Sequence, residues 1–153
     1  MSRLAADLVC RSLLCFGIAA AVGGFLHDST PAAPTCAQEA YGVFGAYDDG
    51  GDLVPGDLVP LRPGVEFGWR VQVTPGMHTW REVLVTPAAP REWVGADLTI
   101  TDDGRVGVTE RTESSEGMLE HAWTITDGDP AGAHEIRVYV DDALVKTFHF
   151  VVR

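Results

Sequence analysis

The sequence predicts an all-β fold, a sandwich of two sheets with about seven to nine antiparallel strands. Two observations lead to this prediction. Beyond the first forty residues, apolar and polar residues alternate with a period of two, which is typical of strands with one buried face. Short segments rich in Gly, Asp and Pro separate the alternating runs, and these are the usual turn signals. The N-terminus lacks this alternation, and we expect a signal helix there, before the sandwich.

The N-terminal segment has the composition of a secretory signal. Leu13 to Leu26 is an uninterrupted apolar run that follows a polar start with two arginines. The run is rich in Gly and Ala and is shorter than the about 20 apolar residues that a membrane-spanning helix needs. We therefore expect residues 1–37 to be a signal peptide and residues 38–153 to be the mature domain. An uncleaved membrane anchor is the alternative for this segment.

The cysteines agree with this division of the chain. All three of them, Cys10, Cys15 and Cys36, precede the expected mature domain. The sequence therefore predicts a periplasmic or secreted domain without disulfides, Cys-based metal sites or a cysteine nucleophile. Lipidation of Cys36 is an alternative to simple cleavage, although the preceding "APT" matches a lipoprotein signal poorly.

The expected mature domain is strongly acidic. From Gln38 onward, twenty Asp and Glu residues stand against nine Lys and Arg residues. Such a surface repels phosphate backbones, so we expect no nucleic-acid partner. Once the signal is removed, we expect no membrane span either.

Four runs carry most of the expected sheet structure. In "VEFGWRVQV" the alternation places Val65, Phe67, Trp69, Val71 and Val73 on one face, which we predict to be buried. The runs "LEHAWTI", "HEIRVYV" and "KTFHFVV" repeat the pattern. Their predicted core-facing residues are Leu119, His121, Trp123, Ile125, Ile136, Val138, Val140, Phe148, Phe150 and Val152. Shorter strands are predicted at Tyr41–Tyr47, Thr79–Thr86, Asp97–Thr101 and Arg105–Arg111.

The connections between these runs indicate how the sheets are joined. "TDDGR" predicts an Asp-Gly hairpin at Thr101–Arg105, and Asp141-Asp142 predicts a second tight hairpin. Thr86–Pro90 must leave the sheet because proline cannot donate a ladder hydrogen bond, and we expect it to carry the chain between sheets. The tandem repeat "GDLVPGDLVP" at Gly51–Pro60 is interpreted as an extended loop. Short strands, regular turns and one crossover favour a sandwich of immunoglobulin-like type.

The closing stretch of the chain resembles the last two strands of many bacterial immunoglobulin-like domains. The resemblance rests on Pro130, Gly132, Ile136, Val138, Val140, Phe148 and Phe150. Where such domains often have a tyrosine, this chain has His134. With "FGWR", "WREVLVTPAAPREW" and "VTERT", the mature region resembles a group of small exported bacterial proteins of unknown function. The resemblance implies the fold and brings no catalytic residues with it.

The stretch "WREVLVTPAAPREW" contains the strongest candidate for a binding surface. If Val83 and Val85 face the core, Trp80 faces away from it, and Trp93 follows the proline-rich loop. Two exposed indoles with neighbouring guanidinium groups can stack on sugar rings or on side chains of a partner. The candidate binding residues are Trp80, Arg81, Arg91 and Trp93. A charged rim around an ordinary core is the alternative.

No metal or cofactor is expected. The calcium candidates are Asp48, Asp49 and Asp52, but they lack the alternating spacing of a calcium loop and are better interpreted as turn residues. The histidines of the mature region lack zinc-site spacing. The glutamates around "TESSEG" are the only hint of a hydrolase, and a run of carboxylates is more typical of a solvated edge.

These observations favour a non-catalytic, exported immunoglobulin-like module whose partner is an unknown envelope protein or a glycan. A carbohydrate-binding module that uses Trp80 and Trp93 is the first alternative. A small hydrolase that uses the acidic loop is the second.

Overall fold

The computed structural model describes residues 41–153, in which every regular element is a β-strand. The predicted signal, residues 1–37, lies outside the described residues. Within them, no helix is long and apolar enough to cross a membrane. The strands are β1 (Gly42–Tyr47), β2 (Leu53–Pro55), β3 (Leu58–Val59), β4 (Glu66–Gln72), β5 (Gly76–Val85), β6 (Leu98–Thr101), β7 (Val106–Ser115), β8 (Met118–Thr124), β9 (Gly132–Val140) and β10 (Ala143–Val152).

The strands form two sheets, as the sequence predicts. The smaller sheet has the order β2-β1-β4-β8, and the larger has the order β3-β10-β9-β5-β7-β6. Neighbouring strands are antiparallel except β3 and β10, which are parallel. There are ten strands among the described residues rather than seven to nine, because β2 and β3 are short strands that the sequence does not reveal.

The alternating runs bury the expected faces. On β4, Phe67, Trp69 and Val71 are buried, and the adjoining Val65 is buried with them. The predicted faces of β9 and β10 are buried as well: Ile136, Val138, Val140, Phe148, Phe150 and Val152. On β8 and the residue after it, Leu119 and Ile125 are buried, whereas His121 and Trp123 keep partial exposure. That exposure places β8 at the border of the core.

Two predicted hairpins are confirmed by their backbone. Asp102 and Asp103 both have a φ of 57°, and Gly104 follows with a φ of 84° in the turn between β6 and β7. Asp141 and Asp142 join β9 to β10 with φ values of 49° and 66°. Positive φ at both residues is the geometry of a two-residue hairpin, which fits Asp141-Asp142 because Val140 pairs with Ala143. The β6–β7 loop is longer, since Thr101 pairs with Val106 and residues 102–105 lie between them. Aspartate tolerates positive φ better than most residues.

The predicted crossover at Thr86–Pro90 is wrong. The segment does leave the sheet, but β5 before it and β6 after it belong to the same large sheet, on either side of β7. The prolines prevent pairing, and Thr86 anchors the loop by donating its hydroxyl to the carbonyl oxygen of Ala88. The chain changes sheets at residues 56–57, 60–65, 73–75, 116–117 and 125–131 instead.

The tandem repeat is extended, as predicted, but it is not a loop. Its first copy contains β2, which pairs with β1 in the small sheet, and its second copy contains β3, which pairs with β10 in the large sheet. Proline limits pairing to one side of a strand, which suits both copies to sheet edges. The repeat therefore closes one side of the sandwich by adding a short edge strand to each sheet.

Candidate functional site

Strand β5 presents the opposite face to the core from the one expected. Trp80, Glu82 and Leu84 are buried, whereas Val83 and Val85 are only half-buried. The prediction of an exposed Trp80 is therefore wrong, since its side chain is 1% exposed. A tryptophan buries far more apolar surface than a valine. Burial of the Trp80 face of β5 is therefore more favourable than burial of the Val83 face, provided that Glu82 has hydrogen-bond partners.

Glu82 is the centre of a buried polar cluster. It is 0% exposed, and its Oε2 accepts a hydrogen bond from Trp69 Nε1 and lies 3.0 Å from His121 Nδ1. Its Oε1 accepts a hydrogen bond from Trp123 Nε1 at 2.5 Å. An indole N–H can only donate, so both oxygens act as acceptors, which is the pattern that an ionised carboxylate requires. Strands from both sheets thus meet at one carboxylate.

The two remaining tryptophans also have hydrogen-bonded indoles. Trp80 Nε1 donates to Glu113 Oε1 at 2.6 Å, and Trp93 Nε1 donates to the carbonyl oxygen of Gly104 at 2.8 Å. Trp80 meets Trp69 edge to face at 5.5 Å between ring centroids. Each tryptophan therefore has a fixed place in the structure, and Trp80 cannot serve as an exposed platform.

A groove opens beside this cluster, between the two sheets. Its volume is about 340 Å³, and we call it the β7–β8 groove. Thr109 and Arg111 of β7 form one wall, and His121 and Trp123 of β8 form the other. The loop at residues 94–96 closes one end. The polar cluster around Glu82 thus reaches the surface here through His121 and Trp123.

Arg111 places a guanidinium group in the β7–β8 groove, where Asp97 is its ion-pair partner but not a hydrogen-bond acceptor. Its Nε is shielded from solvent and has no hydrogen-bond partner among the described residues. Asp97 Oδ2 lies 3.7 Å from that nitrogen, beyond hydrogen-bond distance. The guanidinium carbon lies 5.9 Å from the centre of the Trp80 ring. Its side chain is 39% exposed, so its other N–H groups can reach a ligand.

A second, smaller cavity of about 40 Å³ lies next to His134. His134 stacks on Phe150 at 5.2 Å between ring centroids, and its Nδ1 lies 3.0 Å from the carbonyl oxygen of Gly132. Burial lowers the pKa of His134, and the hydrogen bond with Gly132 and the charge of Asp129 oppose that shift. His134 is therefore a neutral, packed residue rather than an open ligand.

The four residues of the predicted binding surface do not come together. Trp80 is in the core, while Arg81 lies on the opposite face of β5, with its guanidinium 4.5 Å from the Tyr139 ring centre. Arg91 is exposed in the loop after β5. Trp93 is half-buried and lies 6.1 Å from Trp123 between ring centroids. A binding role for Trp93 or Arg91 stays a prediction.

The aspartates suggested for calcium stabilise a turn. Asp48 Oδ1 accepts hydrogen bonds from the backbone N–H groups of Gly50 and Asp52, both at 2.9 Å. Asp49 is exposed beside them. In the part of the chain that the structure describes, no group of three or more His, Cys, Asp or Glu is placed to hold a metal ion.

The sequence carried only a weak signal for Glu82. In "WREVLV" the residues Trp80, Glu82 and Leu84 form one alternating set, and a glutamate in such a set argues against burial. The signal that could have reversed this expectation is the number of tryptophans, four in a short chain, each of which needs an acceptor when buried.

Two solved structures resemble the fold of this chain. An immunoglobulin-like protein of Pseudomonas aeruginosa has a similar structure, with a TM-score of 0.51 and 19% identity over 78% of this chain and 100% of that one. This likeness shows the fold alone. The alkylpurine DNA glycosylase AlkC of Pseudomonas fluorescens, bound to DNA containing an abasic site analog, matches with a TM-score of 0.39 and 12% identity over 75% of this chain.

This chain spans only 30% of the glycosylase, and a likeness that low carries no argument. None of the curated proteins matches the chain. The family described as PM0630 beta sandwich domain matches residues 40–153. The chain therefore belongs to the PM0630 beta sandwich domain family and is an immunoglobulin-like β-sandwich.

Proposed function

We propose that the chain is an exported, non-catalytic binding module that takes an extended segment of an envelope protein along strand β8. The observation that carries this proposal is the free edge of β8. Within the described residues β8 pairs with β4 alone, and its other side borders the β7–β8 groove. A free strand edge offers unpaired N–H and C=O groups to another extended chain.

The other edges of the two sheets offer much less. Edge strands β2, β3 and β6 have three, two and four residues, whereas β8 has seven. Short edge strands are a common protection against unwanted pairing, and β8 lacks that protection. Its length is enough to align several residues of a partner.

The direction of the free backbone groups follows from the pairing of β8. The N–H of Ile125 donates to Val65 O at 2.8 Å, and Ile125 O accepts from the N–H of Gly64 at 2.9 Å. Because backbone groups alternate in direction along an antiparallel strand, the N–H groups of Ala122 and Thr124 point away from β4. These are the donors that we expect a partner strand to use.

The carboxylates support a binding role over catalysis. Glu82 is fully buried, with both oxygens engaged by indoles and His121. Glu113, a candidate for hydrolysis by sequence, accepts a hydrogen bond from Trp80. Glycoside hydrolysis needs two carboxyl groups that flank a substrate in a cleft. Both groups hold the fold together instead.

Export is the other part of the proposal, and the apolar run at Leu13–Leu26 supports it. We expect the tagged full-length chain to be recovered from the periplasm or medium of its host. We also expect its mass to correspond to removal of about the first 37 residues. Recovery of the intact chain in the cytoplasm would contradict this part.

The edge is tested with two substitutions at Ala122. Ala122→Pro removes the N–H that points away from β4, and Ala122→Ser retains it. The tagged full-length chain is expressed in its host, cross-linked and purified from the envelope fraction. We expect the wild type and Ala122→Ser to recover the same protein partner, and Ala122→Pro to lose it while keeping a cooperative thermal transition. Equal recovery by all three would place the contact elsewhere, and recovery of glycan alone would favour a carbohydrate-binding module.

A further inference from the structure

We infer that the β7–β8 groove binds a carboxylate, carried as an acidic side chain by the segment that pairs with β8. This inference rests on the proposed function and adds the chemistry of the ligand. The groove combines two nitrogen-rich side chains, Arg111 and His121, in a volume of about 340 Å³. That volume suits one or two side chains of a bound segment.

Arg111 is the main donor for the carboxylate. A guanidinium group presents its N–H donors in a planar fork that matches the two oxygens of a carboxylate. The acidic groups near Arg111 leave part of that fork available, because the ion pair with Asp97 involves Nε and lacks a hydrogen bond. Asp97 stays 3.7 Å from Nε, and Glu113 is engaged by the indole of Trp80.

His121 is a second donor, and Glu82 fixes its orientation. Its Nδ1 lies 3.0 Å from Glu82 Oε2, which places Nε2 on the opposite side of the ring. The side chain lines the groove and is 14% exposed. When the imidazole is protonated, both nitrogens donate, one to Glu82 and one to the groove. The buried carboxylate is therefore a positioning residue for the histidine.

The surroundings favour a carboxylate over a phosphate. The whole chain carries a formal net charge of −11, which repels a dianion more strongly than a monoanion. The indole of Trp123 forms an apolar wall next to the two donors, and it suits the methylene groups of an acidic side chain. Ala122 and Thr124 also line this groove, so one extended segment can engage both the β8 edge and Arg111.

The test uses propionate, which reproduces the end of a glutamate side chain. The full-length chain, labelled with ¹⁵N and exported by its host, is titrated at pH 5.5. Ionic strength is held constant, and the indole N–H resonance of Trp123 reports binding. We expect a saturable shift with a Kd on the order of 10 mM, since a single small anion binds weakly. Propionamide, which has the same shape without the charge, is expected to give no saturable shift.

Two arginine substitutions decide whether the groove is responsible. Arg111→Gln should weaken propionate binding about tenfold or more. Arg137→Gln should leave it unchanged, because Arg137 is exposed on β9 and pairs with Glu135 at 2.5 Å. The inference is overturned if propionate gives no saturable shift, if propionamide matches it, or if Arg111→Gln binds as well as the wild type. Tighter binding of methyl phosphate would replace the carboxylate with a phosphate as the ligand.

The Ala122→Pro variant separates this inference from the proposed function. Propionate should still bind that variant, because Arg111 and His121 are unchanged. If Ala122→Pro loses its partner and propionate binds no variant, the edge is correct and the carboxylate is wrong. If propionate binds at Arg111 but Ala122→Pro keeps its partner, the carboxylate site stands and the edge is wrong.

Discussion

The interior of the sandwich has two halves that are built from different chemistry. One half is a phenylalanine cluster of Phe44, Phe67, Phe148 and Phe150, with neighbouring ring centroids 4.4–6.2 Å apart. The other is an indole–carboxylate cluster of Trp69, Trp80, Glu82, His121 and Trp123. Strand β4 contributes a ring to each half, so the two clusters lie side by side.

The two halves should differ in how well they tolerate substitutions. Apolar packing loses free energy gradually as atoms are removed, because the neighbours relax partly into the space. A single substitution of a buried carboxylate with three partners causes a large loss of stability, because removal of its charge leaves buried donors without an acceptor. Only the indole–carboxylate cluster borders the β7–β8 groove, so the less tolerant half adjoins the proposed site.

The largest effect is expected for Glu82→Gln, a change that keeps the shape of the side chain. Its amide NH₂ would face an indole N–H, so one donor of Trp69 or Trp123 loses its acceptor. We expect unfolding free energy to fall by about 2–4 kcal/mol, as measured by urea denaturation. A loss below about 1 kcal/mol would show that the carboxylate charge contributes little to the fold.

A matched change in the phenylalanine cluster should cost less. Phe150→Leu keeps an apolar side chain at the centre of that cluster, where Phe150 lies 4.4 Å from Phe44 and 5.5 Å from Phe67 between ring centroids. We expect a loss of about 1–2 kcal/mol in the same denaturation experiment. If Phe150→Leu proves more destabilising than Glu82→Gln, the contrast between the two halves is wrong.

The phenylalanine cluster was the more predictable half. Alternation of large apolar residues predicted the buried faces of β4, β9 and β10, because the bulkiest apolar residues of each run are concentrated on one face. On β5 both faces of the strand contain apolar residues. The presence of Glu82 on the face that is buried suggested that this face was exposed. The partners that make its burial favourable, Trp69 and Trp123, come from other strands, so no local pattern reveals them.

The tandem repeat shows the same limit in its simplest form. Val54 and Val59 occupy the same position in two identical pentapeptides, yet Val54 is 51% exposed and Val59 is 0% exposed. Their environments differ because β2 pairs with β1 and β3 pairs with β10. The chain after the proline-rich loop at Thr86–Pro90 likewise stays in the same sheet, because β7 pairs with both β5 and β6. This order is set by pairing between strands that are distant in sequence.

A pH titration of stability extends the comparison of the two halves. Burial against Phe150 lowers the pKa of His134, so the folded protein binds a proton there less readily than the unfolded chain. Neutral His134 makes its full contribution to the free energy of unfolding above the unfolded-state pKa of about 6.5. That contribution is lost as the pH falls towards the lower pKa of His134 in the folded state. We expect His134→Phe to reduce the loss of melting temperature between pH 7 and pH 5. An unchanged loss would contradict a neutral His134 in the core.

The smallest effect, and one of opposite sign, is expected outside both halves. His78 Nδ1 lies 2.7 Å from Asp141 Oδ2, and this hydrogen bond, with a second from Nε2 to the carbonyl oxygen of Thr74, raises the pKa of His78. Protonated His78 makes its full contribution to the free energy of unfolding below about pH 6.5. That contribution is lost as the pH rises through the raised pKa of His78 in the folded state. The hydrogen bond with His78 also lowers the pKa of Asp141, so the aspartate contributes above its unfolded pKa and stops contributing when acid protonates it in the folded state.

The pair should therefore stabilise the fold most between those two limits, around pH 5–6. Asp141→Asn is the suitable variant, because asparagine tolerates the φ of 49° and can still accept the hydrogen bond from the N–H of Thr79. We expect the melting temperature of Asp141→Asn to lie slightly below that of the wild type at pH 5.5 and to approach it at pH 9. The difference should be small, because Asp141 is 57% exposed and water screens the pair. A difference at pH 5.5 as large as that caused by Phe150→Leu would show that a hydrogen-bonded charge at the surface of this fold stabilises it as much as the packing of its phenylalanine cluster.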